Sequence, residues 1–390
     1  MNSEQFIKKI ESFKKELPYT RGEYVKKTWG HDLHSLCSYQ GKLKPAVAHW
    51  LVKMFSEEGD VVLDPLGGVG TIALEACLQG RKGISNDISI LASTVAKAKI
   101  SFPKIDDVMK ELARLEEKNR NSILTEEDYL SAEFGLNASV KDYFHEDTLR
   151  EILLFRKNLC LENNPSAERC YVAANLLHIL HGNRPYALSR TSHALTPFAP
   201  KGEYIYKNVV GKITERLYKC AKFEFPENYV KGESYWGSYE NLNCEKANII
   251  ITSPPFVGMR FDRPNWMRLW LCGWNKEDFL ETSKASLDRM QMSNWDVYYT
   301  FFQKCYSLLK EDAFMILHLG GSKKYDMVSE LAVRTKDYFK IVDIVYEDVS
   351  NTEKHGVKDK GTTDKHIFVF MKKIRREHPK VCVNLQTDVR

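Results

Sequence analysis

Residues 248–256 read Asn-Ile-Ile-Ile-Thr-Ser-Pro-Pro-Phe, an isoleucine-rich strand that stops at Ser253, Pro254, Pro255 and Phe256. The two prolines have fixed φ and donate no backbone hydrogen bond, so the carbonyls there are rigid acceptors beside an aromatic face. Such a group suits a planar heterocycle with an exocyclic amine: the carbonyls accept from the NH2 while the ring stacks on the base. A strand cap followed by a tight turn is the plainer reading of the same residues. A second run, residues 61–71, reads Val-Val-Leu-Asp-Pro-Leu-Gly-Gly-Val-Gly-Thr. An apolar strand (Val61–Leu63) enters a turn carrying Gly67, Gly68 and Gly70, and a helical pattern starts at Thr71. Glycines permit positive φ and close backbone approach to a ligand. The spacing is not G-x-G-x-x-G, and Asp64-Pro65 precedes it. A second strand ends at Asn86-Asp87, an acid roughly 20 residues on, where a carboxylate can bind ribose hydroxyls. These residues call for a nucleoside and do not demand a pyrophosphate; a glycine turn of some other α/β protein is the alternative.

Taken together, the two runs resemble those of the amino-methyltransferases that act on DNA bases. Asp64 to Thr71 is similar to that family's S-adenosyl-L-methionine loop, with Leu66 where a phenylalanine is usual, and Ser253 to Phe256 resembles its catalytic tetrapeptide. Tyr39-Gln40-Gly41-Lys42-Leu43-Lys44-Pro45 and the apolar helix after it resemble the segment that closes over the methionine end of the cofactor. The likeness covers roughly residues 30–100 and 230–370. It implies S-adenosyl-L-methionine as cofactor, held by Tyr39, Gln40, Lys42, Asp64, Pro65, Gly67, Gly68, Gly70, Thr71, Asn86 and Asp87. It implies catalysis by Ser253, Pro254, Pro255 and Phe256, and serine at the first position is the form usual in N4-cytosine enzymes. Adenine N6, an RNA target, or a non-catalytic subunit binding the cofactor or DNA are the alternatives. The resemblance also implies double-stranded DNA as partner, one site per monomer, and any restriction endonuclease as a separate protein.

The elements that must position these residues alternate. Strands are expected at Val61–Leu63, Lys82–Asn86, Ala247–Thr252, Ala313–Leu319, Ile341–Val345 and Ile367–Met371, with helices at Ile88–Lys99 and Trp295–Leu309. This predicts an α/β, Rossmann-like, mainly parallel sheet covered on both faces. Between its halves lies a long insertion, giving a division of 1–100, 101–225, 226–375 and a tail, 376–390. The insertion is expected to be mostly helical: apolar spacing marks Ile105–Glu117 and Ala167–Leu180, and Thr148 to Glu151 has the form of a capping box. Residues 182–210 are loop-rich. From 181 to 222 eight Lys/Arg face two acids, interleaved with aromatic residues, a pattern suited to phosphate contact and stacking. Arg184, Arg190, Lys201 and Lys207 are the candidate DNA contacts, with an ordinary solvated basic surface as the alternative. His178 and His181 lack a Cys or acid to complete a metal set, so no metal is expected. Arg268, in the apolar run after the tetrapeptide, is expected to pin the active-site loop, with a phosphate contact as the alternative, and a hairpin loop near DNA is the minority reading of the polar stretch 350–366.

Composition excludes several classes. A chain of 390 residues with 43% hydrophobic content can bury a large core, and no apolar run is long enough to cross a bilayer. The first residues read as an amphipathic helix with Phe6, Ile10 and Phe13 on one face, not as a signal sequence. Nine cysteines without C-x-x-C pairing point to reduced thiols and a cytoplasmic setting. A net charge of +5 permits nucleic-acid binding without requiring it.

Overall fold

Seven strands form one sheet in the order β3-β2-β1-β4-β5-β7-β6. They are β1 (Val61–Asp64), β2 (Lys82–Asp87), β3 (Glu233–Trp236), β4 (Ala247–Thr252), β5 (Leu309–Gly321), β6 (Phe339–Asp348) and β7 (Lys365–Lys373). This computed structural model describes residues 1–26, 29–193, 196–321, 326–349 and 365–375 (side chains apart at 282–283), and the backbone alone of 353–354 and 357–358. The first five strands run parallel, and β7 lies antiparallel between β5 and β6. The sheet is therefore α/β, Rossmann-like and mostly parallel, with the order reversing between β1 and β4.

Alternation along the central strands divides the core. Val62, Ile249, Ile251, Phe314 and Ile316 face α1 (Ser3–Glu16) and α2 (Pro45–Phe55), whereas Leu63, Ile250, Met315 and Leu317 face the helices Val297–Leu308 and Met327–Thr335. Both faces are covered, which is why these strands read as continuous apolar runs. On α1, Phe6 stacks on Phe314 at 3.9 Å and Phe13 meets Phe368 edge-on at 5.2 Å. Each buried phenylalanine contributes about 1.5–3 kcal/mol of transfer free energy, so α1 is part of the sheet's cover. Asn2 and Gln5 close its first turn as a reciprocal cap.

The helices Ile105–Asn121, Glu146–Leu159, Ala167–Ile179 and Val209–Cys220 pack with α3 (Thr71–Leu78), α4 (Ile90–Ser101) and Trp266–Leu271 in one continuous apolar cluster. The insertion thus packs on α3 and α4, the helices beside the sheet, rather than on the strands. The capping-box expectation at Thr148 is wrong. His145 caps that helix three residues earlier, and the buried Thr148 hydroxyl donates to the Lys207 carbonyl and accepts from the Lys207 amide. Glu151 instead accepts from the amide of Val209 at the start of the next helix. That helix, Val209–Cys220, and edge strand β3 were absent from the sequence reading. Residues 353–354 pair antiparallel with 357–358 (Glu353 with Lys358); the rest of the expected hairpin and the tail from 376 lie outside the described residues. No helix among the described residues is long and apolar enough to cross a membrane.

Candidate active site

The ends of β1 and β4 are neighbours, because these strands pair in parallel through Val62–Ile249 and Leu63–Ile250. The glycine turn and the tetrapeptide therefore leave the same edge of the sheet. One buried bond joins them: Thr252 Oγ1 donates to Asp64 Oδ1 at 2.6 Å. Asp64 also accepts from the Leu66 amide at 3.2 Å. Burial pushes the Asp64 carboxyl up to about 7, against those two hydrogen bonds, with Asp87 adding to the rise.

Beyond Pro65 the turn is set by its contacts. The Gly67 amide donates to the Asn86 carbonyl at 2.8 Å, and a Cβ on Gly67 would lie 2.1 Å from Ser85 Oγ. Gly70 sits at φ +72°, and a Cβ there would meet Ala96 at 2.9 Å, so the turn can lie against α4 only as glycine. Open space lies over Gly68, whose amide donates to Asp87 Oδ2 at 2.9 Å. Ser89 donates to the other Asp87 oxygen at 2.8 Å. Burial raises the Asp87 carboxyl to about 6, with Asp288 adding to the rise; burial raises Asp288 as well. Asn86 Nδ2 donates to the carbonyls of Pro65 and Gly237, holding the two loops that flank the turn. Thr71 is buried at the first turn of α3. Tyr39 is half-buried, and both Asp87 and Asp288 raise its phenol further after burial has done so. Gln40 is exposed, with its amide 3.5 Å from Asn265 Oδ1. Lys42 is engaged elsewhere, donating to the His34 carbonyl at 2.8 Å. The result is an open turn edged by carboxylates that burial makes harder to ionise, an arrangement that a cationic nucleoside would relieve.

At the tetrapeptide, Ser253 Oγ is 3.1 Å from both the Nδ1 and the carbonyl oxygen of His318 on β5. One arrangement satisfies both: Nδ1–H donates to the serine oxygen and the hydroxyl donates to the carbonyl. It leaves a serine lone pair for an amine hydrogen. Burial holds the His318 imidazole well below its usual range, with His366 lowering it further, and Nε2 is buried without a protein partner. The Pro255 carbonyl is occupied by Gln291 Nε2 at 3.0 Å, itself held by Tyr298 at 2.9 Å. Phe256 is half-buried beside His318 and His366, its ring packed against the backbone of Gly320. Sequence reading missed His318, Gln291 and Asp288. The strand run Phe-Met-Ile-Leu-His-Leu had one polar residue in an apolar strand, and that was the available signal for His318. Replacing His318 by alanine is expected to lower kcat by about 10- to 100-fold with cofactor KM unchanged, because a mispositioned acceptor acts on the transition state. His318→Asn, which can offer a polar atom where Nδ1 sits, should recover part of the loss. Steady-state kinetics decides; equal activity of all three proteins would remove the role.

The four candidate DNA contacts fall into two kinds. Lys201 is exposed. Arg184 donates to Ser38 Oγ at 2.8 Å and to His178; Arg190 donates to the Gly202 carbonyl at 3.0 Å and lies over Tyr204; Lys207 bonds the carbonyls of Ala187 and Ser189. Arg184 thus ties its loop to Ser38 and His178, while Arg190 and Lys207 spend donors on loop carbonyls. His178 meets Arg184 and Tyr186, not a metal set; among the described residues no His/Cys/Asp/Glu group has ligating geometry. Arg268 is fully buried and donates to the Leu177 carbonyl at 3.0 Å.

Residues 3–98 match the family model described as DNA methylase, of the N6/N4 type. No curated protein matches the chain. Among solved structures, TrmN from Thermus thermophilus is similar at 11% identity over 86% of this chain and 50% of its own, with a TM-score of 0.33. The chain spans half the length of that protein. The rRNA methyltransferase aviRa from Streptomyces viridochromogenes is 9% identical over 90% of this chain and 93% of its own, with a TM-score of 0.35. A SAM-dependent methyltransferase from Methanosarcina mazei is 10% identical over 84% and 98%, with a TM-score of 0.33. Superpositions this loose carry no argument. The match over residues 3–98, with the strand order and the glycine turn, is a similarity to the amino-methyltransferases that use S-adenosyl-L-methionine.

Proposed function

We propose that the chain is a DNA methyltransferase that methylates the exocyclic amine of a flipped base, with cytosine N4 as the target. The observation that carries this reading is the Thr252–Asp64 bond, which fixes the glycine turn and the tetrapeptide on one edge of the sheet. The cofactor supplies a methyl group on a sulfonium sulfur, already electrophilic. Asp64 and Asp87 receive its positive and hydroxylated parts. Ser253 and the Pro254 carbonyl accept the hydrogens of the amine and localise its lone pair, and Phe256 stacks on the base. His318 keeps the serine oxygen in place. The base must leave the duplex, at a cost of a few kcal/mol. Double-stranded DNA is the proposed partner, bound by a monomer, with any restriction endonuclease a separate protein in the same cytoplasm.

The test is methyl transfer from labelled S-adenosyl-L-methionine to duplex DNA and to RNA, followed by digestion to nucleosides. Label in N4-methylcytosine is the expected result; label in N6-methyladenine or in ribonucleosides would move the target, and none at all would end the reading.

The carboxyls also set a pH dependence. Asp64 and Asp87 titrate near 7 and 6 in the empty protein. A cationic ligand favours their ionised forms, so binding below these values must expel protons. Cofactor affinity is therefore expected to rise from about pH 5 and level off above about pH 8, with proton release detectable by calorimetry in buffers of different ionisation enthalpy. A flat affinity across that range would show that the carboxylates do not meet the cation.

A further inference from the structure

Tyr186, in the loop after the helix Ala167–Ile179, has three cations around one ring. Lys219 Nζ lies 4.6 Å from its centroid, Arg184 Cζ 5.8 Å and Arg216 Cζ 5.9 Å. They come from two segments far apart in the chain, the loop and the helix Val209–Cys220. Three like charges so placed repel one another unless an anion joins them. The acid on that helix, Glu215, is taken by Lys212 at 2.8 Å. Asp32 is near enough to raise the Cys220 thiol, yet among the described residues no carboxylate pairs with Arg216 or Lys219. Among the described residues the buried Arg216 Nε has no acceptor, while Nη2 donates to the Ser35 and Leu36 carbonyls at 3.4 and 3.5 Å. His178 reports the same field: after burial, Arg216, Arg184 and Arg268 are what hold its imidazole down in the neutral form. The mouth of the cluster is open, since Lys219, Asn183 and Pro185 are exposed while Tyr186 is half-buried. Arg184 reaches from it to Ser38, one residue from Tyr39, so the cluster borders the cofactor-side wall of the site.

We infer that Arg184, Arg216 and Lys219 around Tyr186 form a binding site for a backbone phosphate of the DNA substrate. This rests on the DNA reading above and specifies where the strand is held. Arg216 and Lys219 supply the charge and donors, and the Tyr186 ring orders the cationic side chains by cation–π contact. Lys219, exposed beside the ring, differs from Lys207, whose ammonium bonds loop carbonyls.

The test uses the full chain, a short mixed-sequence DNA duplex and the variants Lys219→Gln and Arg216→Gln/Lys219→Gln. Binding is followed by fluorescence anisotropy over a range of salt, and cofactor affinity and melting temperature serve as controls of fold. The double variant should bind DNA about tenfold more weakly at low salt, with the slope of log Kd against log salt reduced by about 1, at unchanged cofactor affinity. The exposed Lys219→Gln should go part of the way. Wild-type affinity and slope in both variants would overturn the inference while leaving methyl transfer to DNA intact. Failure of the wild-type protein to bind or methylate DNA would overturn the inference together with the reading beneath it. Inorganic phosphate is the second arm, added at constant ionic strength. A phosphate-induced rise in the melting temperature of the wild type, absent from the double variant and without displacement of DNA, would assign the site to free phosphate and overturn it as a DNA contact. Displacement of DNA by phosphate from the wild type at concentrations that do not act on the double variant supports the backbone assignment.

Discussion

Phe256→Ala is expected to reduce methyl transfer on the order of 100-fold while cofactor affinity stays within about threefold. The stacking of a base on an aromatic ring contributes about 1–3 kcal/mol. Loss of the platform also lets the amine wander from the line of attack, and misplacement of about 1 Å can cost a further large factor. The ring is not tied to the glycine turn: its neighbours are His318, His366 and the Gly320 backbone, whereas the cofactor carboxylates lie beyond β1 and β2. A Cβ on Gly320 would lie 2.4 Å from the Phe256 ring, so Gly320→Ala should displace the ring and reproduce part of the defect. Single-turnover rates with calorimetric cofactor binding separate the two effects. A Phe256→Ala protein with normal turnover would show that the ring is only a strand cap.

What the sequence disclosed follows from where side chains are forced to obey one rule. β1, β4 and β5 are buried on both faces, and their apolar runs could be read directly. The turn at Gly67 to Gly70 was legible because steric contact with Ser85 and Ala96 leaves no alternative to glycine. Strand β3 was not, since Glu-Ser-Tyr-Trp is short, half-exposed and carries no alternation. The helix Val209–Cys220 does carry a signal: Val209, Ile213 and Leu217 recur every four residues and are buried, but a dense scatter of Lys and Arg hid it. Thr148 and Glu151 show the opposite error. Their spacing imitates a cap, while tertiary bonds to Lys207 and Val209 claim both side chains. The basic residues divide for a similar reason. Charge can be counted in a sequence, but whether a guanidinium faces water or a loop carbonyl is decided by contacts such as Arg190 with Gly202, far from any periodic pattern. His318 belongs here too, because its partner Ser253 is 65 residues away.

Asp64→Asn is the second change expected to be large, and its effect should depend on pH. The carboxyl is buried, bonded to Thr252 Oγ1 and the Leu66 amide, and titrates near 7. Asparagine keeps the shape and can still accept both bonds, so the link between β1 and β4 survives. What it removes is the negative charge. At about 5 Å and an effective dielectric of about 20, one carboxylate attracts a unit cation by about 3 kcal/mol, equivalent to roughly 100-fold in affinity. Below the carboxyl's own titration the wild-type group is already neutral, and the variant resembles it. Cofactor affinities of the two proteins are thus expected to converge near pH 5.5 and to differ by roughly 100-fold at about pH 8.5. The apo protein should respond in the opposite sense. A carboxyl raised in the folded state destabilises the fold as pH rises through its range, so the neutral asparagine should melt at or above the wild-type temperature at high pH. Parallel affinity curves for the two proteins, offset by a constant amount, would place the positive charge of the cofactor away from Asp64 and leave that residue only its bond to Thr252.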